Sequence, residues 1–134
     1  MRLKRILLMT LLIFFWVGCD RITKIIAREH IVDFPVLWFW GDLFRLQYAE
    51  NSGAFLGMGA GLPETARFWI FIIAVGVVLL VLLVVLCWTL FSGSVHPSGV
   101  VALSLVLAGG LSNLYDRVFN DGIVIDFLNL GLGG

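Results

Sequence analysis

The chain has 134 residues, of which 60% are hydrophobic and only 13% are charged, and its mean hydropathy is +1.04. A domain this small leaves a large share of its surface in water, so this many apolar side chains exclude a soluble globular protein, and the same composition excludes a disordered chain. Nine basic residues balance nine acidic ones, which excludes the basic surface of a nucleic-acid-binding protein, and the composition indicates a membrane protein.

The first apolar segment predicts a membrane helix over about residues 4–26. Residues 6–18 are apolar and follow three basic residues, and the apolar pattern resumes after Asp20. At 1.5 Å per residue such a helix is about 35 Å long, which suffices to cross a hydrocarbon layer of about 30 Å. The alternative is a secretory signal peptide cleaved before Cys19, because a basic start and a short apolar run are also typical of such peptides.

Two ionisable residues interrupt this apolar helix. Asp20 and Lys24 are four positions apart, so they share one helix face. Ionisable groups inside membrane spans are rare and usually functional. The alternative is an ion pair at the membrane edge, with the Lys24 side chain extending outward to the interface.

Residues 30–62 predict a small β-rich segment at the membrane surface. Residues 43–49 alternate loosely between apolar and polar side chains, and Asn51-Ser52-Gly53, which follows, is typical of a turn. Aromatic rings prefer the membrane–water interface. We therefore expect anchoring there by Phe34, Leu37, Trp38, Phe39 and Trp40.

Two further apolar runs predict a hairpin of membrane helices over about residues 67–91 and 97–117. Pro63 and Glu64 suit the first turn of the earlier helix, and the later run is rich in small residues that favour close packing in lipid. The short polar linker over residues 92–97 predicts a tight turn. The distribution of basic residues leaves the orientation of the spans open.

Polar residues gather at the end of the third span. Asn113, Asp116 and Arg117 lie about one helical turn apart and can face one side. Asp126 lies in a strand-like apolar segment, where a carboxylate is partly desolvated and suited to proton transfer. The alternative is that Asp126 pairs with Arg117 and merely anchors the chain. The two cysteines lie in separate apolar runs and suggest neither a disulfide nor a metal site.

Four motifs, which follow one another in the same order as in the family, resemble those of lipoprotein signal peptidase, also called signal peptidase II. Together they extend over nearly the whole chain, and they lie between the same spans as in that family. The motifs are Asp20-Arg21-Ile22-Thr23-Lys24, Tyr48-Ala49-Glu50-Asn51-Ser52-Gly53-Ala54-Phe55, Gly109-Gly110-Leu111-Ser112-Asn113-Leu114-Tyr115-Asp116-Arg117 and Val124-Ile125-Asp126-Phe127.

The resemblance implies an aspartic endopeptidase of the bacterial inner membrane. Such an enzyme removes signal peptides from prolipoproteins that carry a diacylglyceryl group, and it cuts just before the lipidated cysteine. Its membrane fold is all-α, with four transmembrane helices, cytoplasmic termini and a small periplasmic β-element, here about residues 30–62. We expect residues 1–134 to form a single membrane-embedded peptidase domain with three of those helices. The expected partners are prolipoprotein substrates and membrane lipid. We expect a monomer that binds no nucleic acid, no metal and no other cofactor.

The resemblance also implies which residues form the site, at the periplasmic face. Asp126 matches one of two catalytic aspartates, and the other belongs to an Asn-x-Ala-Asp motif that does not occur in the sequence. We therefore expect a truncated, inactive chain; the alternatives are an inactive paralogue or a non-catalytic scaffold protein. Arg21 stands where Gln is common, a change expected to affect only the edge of the helix. Supporting or substrate-binding positions are matched by Asp20, Lys24, Asn51, Gly53, Asn113, Asp116 and Arg117.

Overall fold

The structure, a computed structural model, describes residues 2–53, 59, 61–92 and 96–131. Within these residues, three long helices carry a small antiparallel sheet at one end. The elements in chain order are α1 (Arg2–His30), β1 (Leu37–Phe39), β2 (Phe44–Asn51), α2 (Glu64–Ser92), α3 (Pro97–Phe119) and β3 (Val124–Leu130). The predicted all-α membrane fold with a small β-element is confirmed. The centre of the predicted linker turn, residues 93–95, lies outside the described residues.

The three described helices are each long and apolar enough to cross a membrane. In the apolar 18-residue window of each helix, few residues are buried inside the protein: 6% in α1, 11% in α2 and 22% in α3. Large apolar side chains such as Phe14 and Trp88 therefore cover the outer faces of the helices. An apolar surface of this extent is stable only against lipid or another apolar partner. The helices extend beyond the predicted spans, and α1 continues to His30.

Helix α3 packs against both α1 and α2, which contact each other little. The contact between α2 and α3 is close because Gly110 of α3 has no side chain, and a Cβ there would collide with Leu79. This agrees with the expectation that small residues favour close helix packing in lipid. The shared apolar core consists of Met9, Leu79, Leu86, Leu90 and Leu107.

The described strands form a sheet in the order β1-β2-β3, and both pairs are antiparallel. The register places Ala49 opposite Asp126 and Asn51 opposite Val124. β1 and β2 fall within the β-rich segment predicted over residues 30–62, whereas β3 comes from the C-terminal segment. The sequence does not predict that β3 pairs with β2, because local patterning does not show which distant strands pair. This pairing carries Asp126 to the turn that follows β2.

A tight turn after α3 returns the chain into β3. The Gly122 N–H donates to the carbonyl oxygen of Arg117 at 2.9 Å, as in many helix C-termini. Asp121 and Gly122 both have positive φ angles, 53° and 85°, and glycine adopts this left-handed conformation without strain. A Cβ on Gly122 would also lie 3.3 Å from the ring of Phe68. The turn thus brings β3 back against the end of α3.

Candidate active site

The carboxylate of Asp126 is held by the side chain of Asn51. The Asn51 amide nitrogen donates to Asp126 Oδ2 at 3.2 Å, and the backbone N–H of Gly53 donates to the Asn51 amide oxygen at 3.0 Å. Because the amide oxygen accepts from Gly53, the amide nitrogen must face the carboxylate. Asp126 is half-buried, and its Oδ1 has no hydrogen-bond partner among the described residues. Within the described part of the chain, one carboxylate oxygen is therefore fixed while the other makes no hydrogen bond.

Arg117 lies beside this pair and is buried, with 7% of its surface exposed. Its Nη2 donates to the carbonyl oxygen of Gly53 at 2.9 Å, and its guanidinium carbon lies 5.8 Å from the centre of the Phe71 ring. Its Nε is buried and has no hydrogen-bond partner among the described residues. No ion pair within 4 Å joins it to Asp126 among the described residues, although the two charges are near enough to attract each other.

A second polar group lies between α1 and α3 and centres on Lys24. Its Nζ donates to Asn113 Oδ1 at 2.8 Å and to Asp116 Oδ2 at 2.8 Å, and it lies 3.0 Å from Asp20 Oδ2. Asp20 also accepts a short hydrogen bond from the Ser112 hydroxyl. The Lys24 side chain is only 4% exposed, so it points into the protein. The ion pair with Asp20 that the alternative interpretation included is present, but the outward extension of Lys24 in that alternative is wrong.

Asp116 connects this second group to the strand that bears Asp126. Its side chain is fully buried, and its two oxygens accept from several donors. Besides Lys24, these donors are the guanidinium of Arg21, the Asn120 amide at 3.4 Å and the backbone N–H of Ile125 at 3.4 Å. The last contact is made one residue before Asp126. Asp116 thus connects α1 both to the turn that follows α3 and to strand β3.

The sequence interpretation of Arg21 is wrong. Its guanidinium binds the buried Asp116 carboxylate and lies over the Tyr115 ring, 4.4 Å from its centre. The change from the common Gln therefore reaches the buried Asp116 and is not confined to the edge of the helix. The spacing of three residues between Arg21 and Lys24 was the available signal, because residues three apart share a helix face.

The predicted site residues therefore form two neighbouring groups. The groups meet in α3, where consecutive residues serve different groups: Asp116 binds Lys24, and Arg117 binds Gly53. Among the described residues, no cluster of His, Cys, Asp and Glu side chains is arranged to hold a metal ion. The first group is Asp126, Asn51, Gly53 and Arg117, and the second is Asp20, Lys24, Asn113 and Asp116.

The far end of the sheet carries a charged and aromatic edge. Asp42 lies in the loop before β2, and two nitrogens of Arg45, in β2, donate to its two carboxylate oxygens at 2.6 Å each. These bonds lower the pKa of Asp42 below its usual 3.8. Closer to Asp126, in the other half of β2, partial burial and the hydrogen bond from its hydroxyl to Glu50 raise the pKa of Tyr48. Trp40 is 81% exposed beside this loop. The edge combines fixed charges with a large apolar ring, as is typical of a membrane–water interface.

Comparison with known proteins gives consistent results along the chain. The family model described as Signal peptidase (SPase) II matches residues 12–134. A lipoprotein signal peptidase of Clostridioides difficile (strain 630) is 32% identical over 123 residues, which cover 92% of this chain and 76% of that protein. One of Rhodococcus jostii (strain RHA1) is 36% identical over 118 residues, covering 84% of this chain and 54% of that protein.

Two solved structures of a bacterial membrane enzyme, determined by the in meso method, have a similar fold. The first has a TM-score of 0.64 and 26% identity, and the match covers 94% of this chain and 71% of the other. The second has a TM-score of 0.63 and 25% identity, covering 94% of this chain and 76% of the other. The family model, the relatives and the fold agree, and the chain belongs to the signal peptidase II family.

Proposed function

We propose that this protein is a membrane endopeptidase that removes signal peptides from diacylglyceryl-modified prolipoproteins, cutting just before the lipidated cysteine, with Asp126 as one of two catalytic aspartates. The observation that carries the proposal is the Asn51–Asp126 pair beside the buried Arg117. The family membership supports the protease function and the prolipoprotein substrate. The geometry supports the assignment of Asp126.

Peptide hydrolysis by two aspartates requires one ionised and one protonated carboxyl group. The ionised carboxylate takes a proton from the attacking water, while the protonated acid donates a hydrogen bond to the scissile carbonyl. Two carboxyl groups at close range share one proton because both cannot ionise together. In Asp126, Oδ2 is held by Asn51 and Oδ1 has no partner among the described residues. We assign Oδ1 the contact with the attacking water.

The second carboxylate is not assigned to the aspartates of the second polar group. Asp20 and Asp116 are both bound to Lys24, and Asp116 also binds Arg21. Their carboxylate oxygens are already occupied by these contacts, which hold both side chains between α1 and α3. We propose that the second acid is the aspartate of an Asn-x-Ala-Asp motif, as the family resemblance implies.

Arg117 is proposed to orient the substrate backbone. One of its nitrogens already binds the Gly53 carbonyl oxygen at 2.9 Å, which fixes the guanidinium plane. Its buried Nε has no partner among the described residues, and an unsatisfied buried donor costs about 1–3 kcal/mol. A substrate carbonyl oxygen that accepts from Nε would remove this cost.

We propose that the protein lies in the bacterial inner membrane, with Asp126 and the sheet at the periplasmic face. The exposed apolar sides of the three described helices support contact with lipid. Exposed aromatic residues such as Trp38 and Trp40 support an interfacial position for the sheet. In this orientation the acyl chains of the substrate stay in the outer leaflet while its peptide reaches Asp126. We propose that the protein acts as a monomer.

The proposal is tested by precursor processing in cells. The complete gene is expressed in a bacterium depleted of its own lipoprotein signal peptidase, and the ratio of prolipoprotein to mature lipoprotein is measured by electrophoresis. We expect Asp126→Asn to accumulate precursor as the empty vector does, at a normal membrane level. Asp121→Asn is the matched control, because Asp121 is exposed and its left-handed conformation suits asparagine. Normal processing by Asp126→Asn would overturn the proposal and favour a non-catalytic role.

A further inference from the structure

We propose that Phe71 is a positioning residue for Arg117 and holds its guanidinium at one side of the candidate active site. This inference rests on the proposed function, in which Arg117 orients the substrate backbone. Phe71 lies on α2, outside the four sequence motifs, and the guanidinium carbon of Arg117 lies over its ring, 5.8 Å from the ring centre. The contact joins α2 to the first polar group, whose members come from other parts of the chain.

Few other contacts hold the Arg117 guanidinium in place. Its Nη2 donates to the Gly53 carbonyl oxygen at 2.9 Å, and its Nη1 makes a longer contact of 3.5 Å with the carbonyl oxygen of Asn113. Its Nε has no partner among the described residues, and no described carboxylate oxygen lies within 4 Å of its nitrogens. A single short hydrogen bond lets the guanidinium turn about that bond, so the neighbouring ring of Phe71 limits the direction in which Nε points.

The ring of Phe71 is itself restrained by the loop that precedes α2. A Cβ at Gly59 would lie 2.7 Å from the Cζ atom at the tip of the ring, so the loop backbone passes close to the ring. Gly59 has a φ of 78°, which suits glycine, and its carbonyl oxygen accepts the N–H of Leu62 at 3.0 Å. The ring is therefore held at its tip, and it can in turn restrain Arg117.

An aromatic ring suits a buried cation better than an aliphatic side chain does. Arg117 is buried, and a buried charge is costly unless neighbouring groups compensate it. The face of a phenyl ring carries partial negative charge, which attracts a guanidinium within about 6 Å, and the attraction is stronger where water is excluded. Leucine at position 71 would fill much of the same space without this attraction. Phe71 therefore stabilises the charge of Arg117 and keeps its Nε where we propose that it meets the substrate.

The test measures kcat/KM of the complete purified enzyme on a synthetic diacylglyceryl lipopeptide. We expect Phe71→Leu to lower kcat/KM by about 10-fold, as the loss of a desolvated cation–π contact should. Replacing Phe71 with 3,5-difluorophenylalanine keeps the shape of the ring and leaves its tip unchanged, but it withdraws negative charge from the ring face and should lower kcat/KM about threefold. Phe91 is the matched control, because it is an exposed phenylalanine of the same helix, and the same two replacements there should leave kcat/KM within about 1.5-fold.

Folding and positioning are separated by relating each rate to folded protein, quantified by size-exclusion chromatography. An unchanged kcat/KM of the difluorophenylalanine variant would overturn the inference, whether or not Phe71→Leu lowers it, because the ring would then act only through its size. If Phe71→Leu does not fold, the difluorophenylalanine variant keeps the packing and decides the outcome. Asp126→Asn in the same assay tests the proposed function separately. If Asp126→Asn is inactive while both Phe71 variants keep their kcat/KM, only this inference fails.

Discussion

Replacing Lys24 with methionine removes a buried ammonium group and keeps an unbranched side chain. The ammonium lies 2.8 Å from Asp116, 2.8 Å from Asn113 and 3.0 Å from Asp20. Removing one partner of a buried ion pair costs about 3–5 kcal/mol, because the other charge stays buried and uncompensated. Arg21 still binds Asp116 in the variant. We therefore expect the free energy of unfolding to fall by about 3 kcal/mol, the lower end of that range.

The assay is unfolding of the purified complete protein in mixed micelles, followed by far-ultraviolet circular dichroism. Arg28→Met is the matched control, because Arg28 is exposed on the same helix, and its effect should stay within about 0.5 kcal/mol. The double variant Lys24→Met with Asp116→Asn removes the excess negative charge of the cluster and should recover at least half of the lost stability. A loss for Lys24→Met below about 1 kcal/mol, typical of an exposed pair, would refute the reasoning.

Three further predictions concern other parts of the structure. Gly122→Ala should lower the unfolding free energy by about 1–2 kcal/mol, because φ is 85° there, whereas Gly109→Ala adds a methyl group in open space and should have little effect. Asn51→Ala removes the donor to the proposed catalytic carboxylate and should slow prolipoprotein processing about 10-fold or more at an unchanged membrane level. The Arg45 contact lowers the pKa of Asp42, so it stabilises the loop at pH values above the ordinary pKa of aspartate. This stabilisation is lost as the pH falls through the lowered pKa of Asp42.

Each of these predictions has a direct measurement. Equal unfolding free energies for Gly122→Ala and Gly109→Ala in micelles would contradict the need for a left-handed glycine in the turn. Loss of the Asn51→Ala protein from the membrane fraction would show a structural role in place of an orienting one. For the loop, acrylamide quenching of tryptophan fluorescence should rise as the pH falls from about 5 to about 2, and Asp42→Asn should show raised quenching throughout that range. Quenching that does not change with pH in the natural protein would contradict the loop prediction.

The helices could be predicted from the sequence because hydropathy is a local property. Residues 68–90 carry no charge, and such a run specifies a membrane helix wherever it lies in a chain. The helices nevertheless extend further than predicted: α1 continues to His30, since polar residues at the membrane surface continue a helix without an apolar signal. The order of the elements follows from these runs, and the approach of α2 to α3 at Gly110 follows from small residues.

The site could be predicted only in part, because its geometry depends on long-range contacts. Asp126 and Asn51 were both named from their motifs, but their hydrogen bond arises from pairing between strands 75 residues apart in sequence. The inward direction of Lys24 and the role of Arg21 depend on how α1 faces α3. Helical spacing shows which residues share a face but not what that face contacts. Those contacts required the structure.

The most direct test of the central claim is the cleavage rate of purified Asp126→Asn relative to the natural protein, on a diacylglyceryl-modified prolipoprotein in lipid. Asparagine keeps the size of the side chain beside Asn51 but removes its negative charge and its ability to exchange a proton. General acid–base groups contribute about 10²–10⁴-fold each, so we expect a loss of at least about 100-fold at an unchanged folded yield. A rate within about threefold of the natural protein would contradict the assignment of Asp126 as a catalytic acid.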